Sequence, residues 1–298
     1  MTTQEGSTRL RRVALLSNPT AGKGRGAAAR ETALQVLGSA GVEVVDLVGT
    51  DAADAQRLAA QAVAEGVDAL LAAGGDGMVH LATQVLAGTG TPLGVVPAGT
   101  GNDVARHLGL PRDDVAAAVR HLLTAQVTPV DVADAGGTAF VTVLCAGFDA
   151  IVNERANQMR WPRGQMRYNL ATLAELRTFR PLGYRLELDG KHVELEAMMV
   201  SVGNLPSFGG GLRIAEGARV DDGFLDVVVI KPVSKLELVK TYPKLFKGTH
   251  LSHPAFERYR VRSVDVVADG IVAYADGERL GPLPMTVTAR PGALHVLS

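Results

Sequence analysis

One cysteine in 298 residues rules out an internal disulfide framework. With no second thiol to pair with, Cys145 reads as a small buried hydrophobe in the apolar run ahead of Ala146-Gly147. Aromatic residues make up only 4% of the chain, so any core is built from Ala, Val and Leu. Neither sign of charge dominates: 30 Lys and Arg face 31 Asp and Glu, for a net charge of −1. That balance argues against a nucleic-acid binder, which would carry a strongly basic domain, and leaves room for local basic patches. No apolar run approaches the roughly 18 residues that span a bilayer, and no apolar signal core is present near the first residue. The expected location is cytoplasmic, with any membrane contact made from the side, at the inner face. There is no internal repeat and no low-complexity tract. The seven histidines show no metal spacing; His250 and His253 form an H-x-x-H with no Cys or carboxylate beside it, and read as structural or surface residues.

What the chain does have is glycine in informative places. Three glycine-rich turns follow apolar runs in the first hundred or so residues: Asn18-Pro19-Thr20-Ala21-Gly22-Lys23-Gly24, Gly74-Gly75-Asp76-Gly77 and Pro97-Ala98-Gly99-Thr100-Gly101-Asn102-Asp103. Glycine lets backbone N–H groups crowd an anion without a Cβ in the way, and a following helix N-terminus adds positive potential. Three such turns point to a phosphate-rich ligand along one sheet edge.

The spacing predicts strands at 12–17, 42–48, 69–73 and 93–96, and helices at 27–40, 52–65, 79–86, 104–108 and 113–123. Near-continuous apolar strands alternating with helices indicate a parallel sheet covered on both faces, with ligands beyond the strands' carboxyl ends. All three turns fall there. After Pro129 the texture changes to strands at 130–133, 139–144, 184–188, 193–202, 225–230, 261–267, 271–274 and 285–289. Helices are expected in part of 150–179 and over 235–246, the latter broken or bent at Pro243. Asp189-Gly190 signals a hairpin. The expected class is thus α/β plus β: a parallel-sheet domain over 1–129 followed by a β-rich domain over 130–298, with a cleft between them.

Gly22-Lys23-Gly24-Arg25-Gly26-Ala27 formally fits a dinucleotide fingerprint, with Asp46 suitably placed for a ribose. Four residues intervene between strand and glycines, however, and the fingerprint needs glycine straight after the strand. Nor is it a phosphate-binding Walker loop, because Ser17 stands where glycine is required and no Ser or Thr follows Lys23. Asp76 is placed either to ligate or orient Mg2+ beside phosphate-binding N–H groups, or to cap a helix. Asn102 and Asp103 admit the same capping reading.

Together the three turns resemble the signatures of the diacylglycerol kinase catalytic domain, in its bacterial lipid kinase branch. Asp221-Asp222-Gly223-Phe224-Leu225-Asp226 is similar to that branch's metal loop, and Asp276-Gly277-Glu278 to its late catalytic turn. The resemblance runs over nearly the whole chain in the right order, and it implies a nucleotide-binding α/β domain over 1–129, a β-sandwich-like, lipid-binding domain over 130–298 and an active site in the cleft between. It implies ATP contacts from Asn18, Pro19, Thr20, Ala21, Gly22, Thr50, Gly74, Gly75, Asp76, Gly77, Met78, Val79, His80, Thr100 and Asn102. It also implies Glu278 as general base on a lipid hydroxyl, with Asp276 beside it and Asp76 at the phosphates. A structural Mg2+ would be held by the Asp222 carboxylate and the carbonyls of Arg219 and Phe224. Met78 departs from the family pattern, which has Thr or Ser there. The implied reaction is ATP- and Mg2+-dependent phosphorylation of diacylglycerol. A sphingoid base or ceramide as acceptor, an NAD kinase-like soluble substrate, an NAD(P)-linked oxidoreductase and a non-enzymatic sensor remain alternatives. A homodimer is one open assembly state.

Two basic–aromatic strips fit a peripheral contact with an anionic leaflet. One carries Arg155, Arg160, Arg163, Arg167, Arg177, Arg180 and Arg185 with Trp161, Tyr168 and Phe179. The other carries Lys231, Lys235, Lys240, Lys244 and Lys247 around Leu236, Val239, Tyr242, Leu245 and Phe246.

Overall fold

The computed structural model describes residues 10–19, 24–159, 161 and 165–298. Its contacts divide the chain into two units, Met1–Val132 with Arg290–Ser298, and Ala133–Ala289. The last segment departs from a simple cut at 129/130. Its backbone belongs to the first unit: Val296 pairs with Leu93, the Gly88 N–H donates to the Ala293 carbonyl, and Ser298 exchanges two bonds with Gln126.

The first unit runs β1 (Arg12–Ser17), α1 (Arg25–Ser39), β2 (Glu43–Val48), α2 (Ala52–Ala64), β3 (Ala69–Gly74), α3 (Asp76–Leu86), β4 (Leu93–Pro97), α4 (Asp103–His107), α5 (Val115–Leu122) and the start of β5 (Val127–Ala135). Strands β2-β1-β3-β4 are adjacent and parallel. Every residue of β3 and β4 is buried, as a central parallel strand covered on both faces requires. The helices bury apolar residues at helical spacing, Ala29, Ala33 and Leu37 on α1 and Ala55, Ala59 and Ala62 on α2. Helix α1 packs beside α5, and α2 beside α3. Asp51 and Asp114 cap α2 and α5, accepting from the N–H groups of Asp54 and Ala117.

The second unit is a β-sandwich. It contains β6 (Thr138–Phe140), β7 (Val143–Gly147), α6 (Phe148–Gln158), α7 (Gln165–Thr178), β8 (Leu182–Leu188), β9 (Lys191–Ala197), β10 (Met199–Gly203), β11 (Leu225–Ile230), α8 (Lys235–Lys247), β12 (Phe256–Val261), β13 (Ser263–Val267), β14 (Val272–Ala275), β15 (Glu278–Pro282) and the first part of β16 (Met285–Leu297). One sheet has the order β12-β11-β10-β7-β14-β15, and β16-β13-β8-β9 form the other. Alternation sorts the side chains. Leu144, Val200, Val202, Val227 and Val229 point to the core shared with Leu186, Val264, Val266 and Val287. Their neighbours Val143, Cys145, Met199 and Val228 point to a second layer with Ile214 and Leu245 of α8. Cys145 is buried there, and burial pushes its thiol up.

Several expected strands divide in two. The run 193–202 changes sheets at Met198, whose N–H donates to the Ile230 carbonyl. The run 261–267 breaks after Val261, and 139–144 breaks at Val141-Thr142. Strands β12 and β15 were not anticipated, and β16 runs well past residue 289. Helix α8 continues through Pro243 without a break. Pro243 is exposed, so water can satisfy the carbonyl that its missing N–H leaves unpaired. The Asp189-Gly190 turn joins β8 to β9, with φ of 49° and 86°.

Asp149 lies in the first turn of α6 with Oδ2 buried and unbonded among the described residues, although part of the residue reaches the surface. Burial pushes its carboxyl up to about 6. The folded state therefore holds this proton more tightly than the unfolded chain does, at about 3.9. Stability is highest below that lower value and is withdrawn as pH rises through 6. Asp149→Asn is expected to raise the melting temperature at pH 7.5, by about 2–3 kcal/mol of stability, and the gain should shrink towards zero near pH 4. Equal shifts at both pH values would show that no buried charge was relieved.

Candidate active site

In the first unit the carboxyl ends of four adjacent parallel strands lead into the three expected turns and into the segment that carries Thr50. Gly49-Thr50 follows β2, Asn18-Pro19 follows β1, Gly75 follows β3 and Ala98 follows β4. The chain proceeds from β1 outward to β2 and then returns past β1 to β3. The order therefore reverses between β1 and β3, which is where open parallel sheets bind ligands. Thr20, Ala21 and Gly22 lie outside the described residues, as do Lys23, Arg160 and Arg163.

The second and third turns are joined through their backbones. The Ala98 N–H donates to the Gly74 carbonyl at 2.8 Å. A Cβ added at Gly99 would lie 2.4 Å from the Gly75 Cα, so only glycine permits this approach. Asp76 is the first residue of α3, and Gly75 is its N-cap. Helix α3 thus begins three residues earlier than periodicity indicated, and Asp76 and Gly77 stand in its first turn. Oδ1 of Asp76 accepts the Asp103 N–H at 2.7 Å, which fastens α4 to the Gly-Gly-Asp-Gly turn. Asp103, itself buried, pairs with Arg106, whose Nη2 also donates to the Gly101 carbonyl.

Other expected contact residues have visible structural tasks. Asn102, in the left-handed region at φ 51°, accepts from the Gly99 N–H at 3.0 Å and donates to the Gly99 carbonyl at 3.1 Å. Its amide shapes the loop rather than capping α4. Val79 is in the core, and its N–H donates to the Gly75 carbonyl. Met78 lies against Gly74, where an added Cβ would come within 2.7 Å of the Met78 Cβ, so the contact requires glycine at 74. His80 is half-buried and offers its carbonyl to Gln84. The N–H and hydroxyl of Thr50 both donate to Oδ2 of Asp54. With Arg57, these bonds hold the Asp54 carboxyl below the usual range. Thr100 and Asn18 are exposed. Ser17 Oγ, at the carboxyl end of β1, is buried with no hydrogen-bond partner among the described residues.

In the second unit, Asp276-Gly277 forms the tight turn between β14 and β15, at φ of 53° and 85°. The two acidic residues have different surroundings. Asp276 is 9% exposed and accepts from the N–H groups of Val141 (3.2 Å) and Thr142 (2.8 Å) and from the Thr142 hydroxyl (2.6 Å). These bonds take the place of ladder pairing at 141–142, which is why the expected strand divides there. Asn204 fastens the same point from its other side, donating Nδ2 to the Val141 carbonyl. Glu278 begins β15 and is exposed. Thr142 had no local sequence signal; only its contact with Asp276, far along the chain, reveals it.

The Asp221-Asp222-Gly223-Phe224 loop offers one inward carboxylate. Asp222 accepts the Phe224 N–H at 3.1 Å and Arg260 Nη2 at 2.6 Å, while Arg219 pairs with Asp221. A carboxylate with neighbouring carbonyls is the oxygen donor set of a hard cation, so the residues suit Mg2+ in chemistry. Arg260 already supplies a positive charge to the same carboxylate. Among the described residues no cluster of three or more His, Cys, Asp or Glu gathers, at this loop or elsewhere, and no helix is long and apolar enough to cross a membrane.

Known proteins share both halves of this architecture. Residues 12–135 match the diacylglycerol kinase catalytic domain, and residues 142–298 match the YegS C-terminal NAD kinase beta sandwich-like domain. A diacylglycerol kinase of Mycobacterium tuberculosis (strain ATCC 25618 / H37Rv) is 44% identical over 292 residues, covering 96% of this chain and 94% of that one. A Pseudomonas fluorescens protein named "Probable lipid kinase YegS-like" is 32% identical over 268 residues, covering 89% and 88%. A crystal structure from Bacillus anthracis str. Sterne matches with a TM-score of 0.82 at 25% identity, over 100% of this chain and 98% of that one. The chain belongs to the diacylglycerol kinase catalytic-domain family, among its bacterial lipid kinases.

Proposed function

We propose that this lipid kinase transfers the γ-phosphoryl group of ATP to the free hydroxyl of diacylglycerol, giving phosphatidic acid and ADP. The observation that supports it most directly is the row of glycine turns at the strand ends around the order reversal, with Asp76 and Asp103 tying two of them together. Backbone amides there suit the phosphates, and an exposed carboxylate on the β14–β15 turn suits the acceptor hydroxyl.

An alcohol is a weak nucleophile, so transfer needs a base, charge neutralisation on the phosphates and in-line placement. Glu278 takes the hydroxyl proton as the new O–P bond forms and the bond from the γ-phosphorus to the β–γ bridging oxygen breaks, with ADP leaving. Asp276 holds the turn that carries Glu278. The amides of Gly75, Asp76 and Gly77, with Asn18, Pro19, Thr20, Ala21, Gly22, Thr50 and Thr100 around them, receive the nucleotide. Mg2+ bound with the nucleotide would neutralise charge on the phosphate oxygens, with Asp76 the carboxylate placed to orient it. A second, structural Mg2+ would be held by Asp222 and the carbonyls of Arg219 and Phe224. The acceptor is membrane-borne, so the enzyme works as a peripheral protein at a leaflet surface.

Transfer of radiolabel from [γ-32P]ATP to a panel of dioleoylglycerol, ceramide, sphingosine and NAD tests this reading. Label is expected in dioleoylglycerol. Asp76→Ala should reduce it at least a hundredfold, since it removes both the anion-site carboxylate and the tie to α4. Label appearing in NAD or ceramide instead, or full activity in Asp76→Ala, would overturn it.

A further inference from the structure

Helix α8 presents apolar side chains on both of its faces. Leu245 faces inward, 5% exposed, against Val228 and Met199. On the opposite face Leu236 is 65% exposed, Val239 52% and Phe246 45%, and exposed Pro243 lies between them. Their spacing of i, i+3, i+7 and i+10 makes one continuous stripe along the helix. Leu251, just past the helix, is 42% exposed. Lys235, Lys240, Lys244 and Lys247 are all exposed and lie on or beside the stripe. The only acidic residue of the helix, Glu237, pairs with His253. Ser234 caps the helix by accepting the Glu237 N–H, so the stripe is displayed on a formed element.

We infer that the outward face of α8 is a docking surface for an anionic lipid bilayer. An apolar stripe flanked by lysines is the arrangement of helices that lie in a membrane interface, with hydrocarbon among the acyl chains and ammonium groups at the headgroup phosphates. A second copy of this chain is the poorer occupant, because a two-fold contact would set four lysines against four lysines with one carboxylate on each side to offset them. The inference rests on the proposed acceptor being a membrane lipid, and it adds which surface meets the membrane. Of the two basic strips in the sequence, it selects the lysine one.

The test is co-sedimentation of the full chain with phosphatidylcholine vesicles, with and without phosphatidylglycerol. Wild type is expected to bind the phosphatidylglycerol vesicles, and binding should weaken as salt rises. Lys240→Glu/Lys244→Glu/Lys247→Glu should lower the partition constant on the order of a hundredfold. Leu236→Ser/Val239→Ser should lower it about tenfold or more while keeping the salt dependence. Unchanged phosphorylation of short-chain dioctanoylglycerol without vesicles, together with an unchanged melting temperature, would show that both variants stay folded and active. If wild type itself fails on dioctanoylglycerol but binds vesicles, the acceptor reading fails and the docking surface stands. Binding by folded variants equal to wild type, equal binding to neutral vesicles, or a loss of dimer mass in the variants without a loss of vesicle binding would overturn the inference.

Discussion

Replacing Glu278 by glutamine is expected to cut phosphoryl transfer by about 10²–10⁴ and to leave the melting temperature where it was. Glu278 is exposed at the start of β15, so the loss of its charge costs the fold little. Asp276→Asn should behave differently. Its carboxylate receives the N–H groups of Val141 and Thr142 and the Thr142 hydroxyl, and an amide cannot accept all three through both of its atoms. At least one buried donor is left unpaired, at about 1–3 kcal/mol. Roughly 2–4 °C per kcal/mol in a unit of this size then gives a clear fall in melting temperature. Activity should fall as well, because the turn that aims Glu278 has lost its anchor. Thr142→Val separates the two roles. It removes only the hydroxyl bond, so it should lower kcat and stability together while Glu278 is intact, and Thr142→Ser should restore both. Single-turnover rates and thermal melts on the four variants decide the matter. Glu278→Gln with wild-type kcat would place the base elsewhere, and Asp276→Asn with an unchanged melting temperature would remove its anchoring task.

The contrast between these two acids explains what the sequence could and could not disclose. The first unit was legible because its rules are local. A short apolar run followed by glycine marks a parallel strand end, and β1 occupies Arg12–Ser17 as periodicity indicated. That the glycine turns share one edge of the sheet followed from chain order alone, since all of them come after parallel strands. What local rules could not show was how the turns are held. Asp76 admits both a cap and a site reading from sequence, and its bond to the Asp103 N–H adds a task that sequence could not show, fastening the start of a helix other than its own.

The second unit was less legible because partners far along the chain decide where its strands end. Residues 193–202 carry one continuous β pattern, yet the chain crosses between sheets at Met198 because Ile230 offers a carbonyl there. Residues 139–144 are apolar throughout, yet the ladder stops where Asp276 takes the amides of Val141 and Thr142. The exposed stripe on α8 was hidden for a related reason. Leu236, Val239, Leu245 and Phe246 look alike in sequence, and only packing shows that Leu245 alone of these four points inward.

Gly99→Ala is expected to disable the nucleotide edge with a single methyl group. The added Cβ would lie 2.4 Å from the Gly75 Cα, 2.7 Å from Asn102 Oδ1 and 3.2 Å from the Gly75 nitrogen. Two of these are backbone atoms that cannot rotate away, and the third belongs to the side chain that shapes the loop. Either the β4 turn must lift from the β3 turn, breaking the Ala98–Gly74 bond, or Asn102 must release Gly99. Overpacking of this kind costs about 1–3 kcal/mol, and the larger consequence is displacement of the amides proposed to receive the phosphates. ATP affinity, measured by calorimetry with the nonhydrolysable β,γ-imido analogue, should fall at least tenfold. The reverse change is a built-in control, since a Cβ on Gly75 would stand 3.1 Å from the Gly99 Cα and needs a shift of only a few tenths of an ångström. Gly75→Ala should therefore be the milder variant in both stability and affinity. If Gly99→Ala binds the analogue as wild type does, contact between the two turns is not what positions the nucleotide.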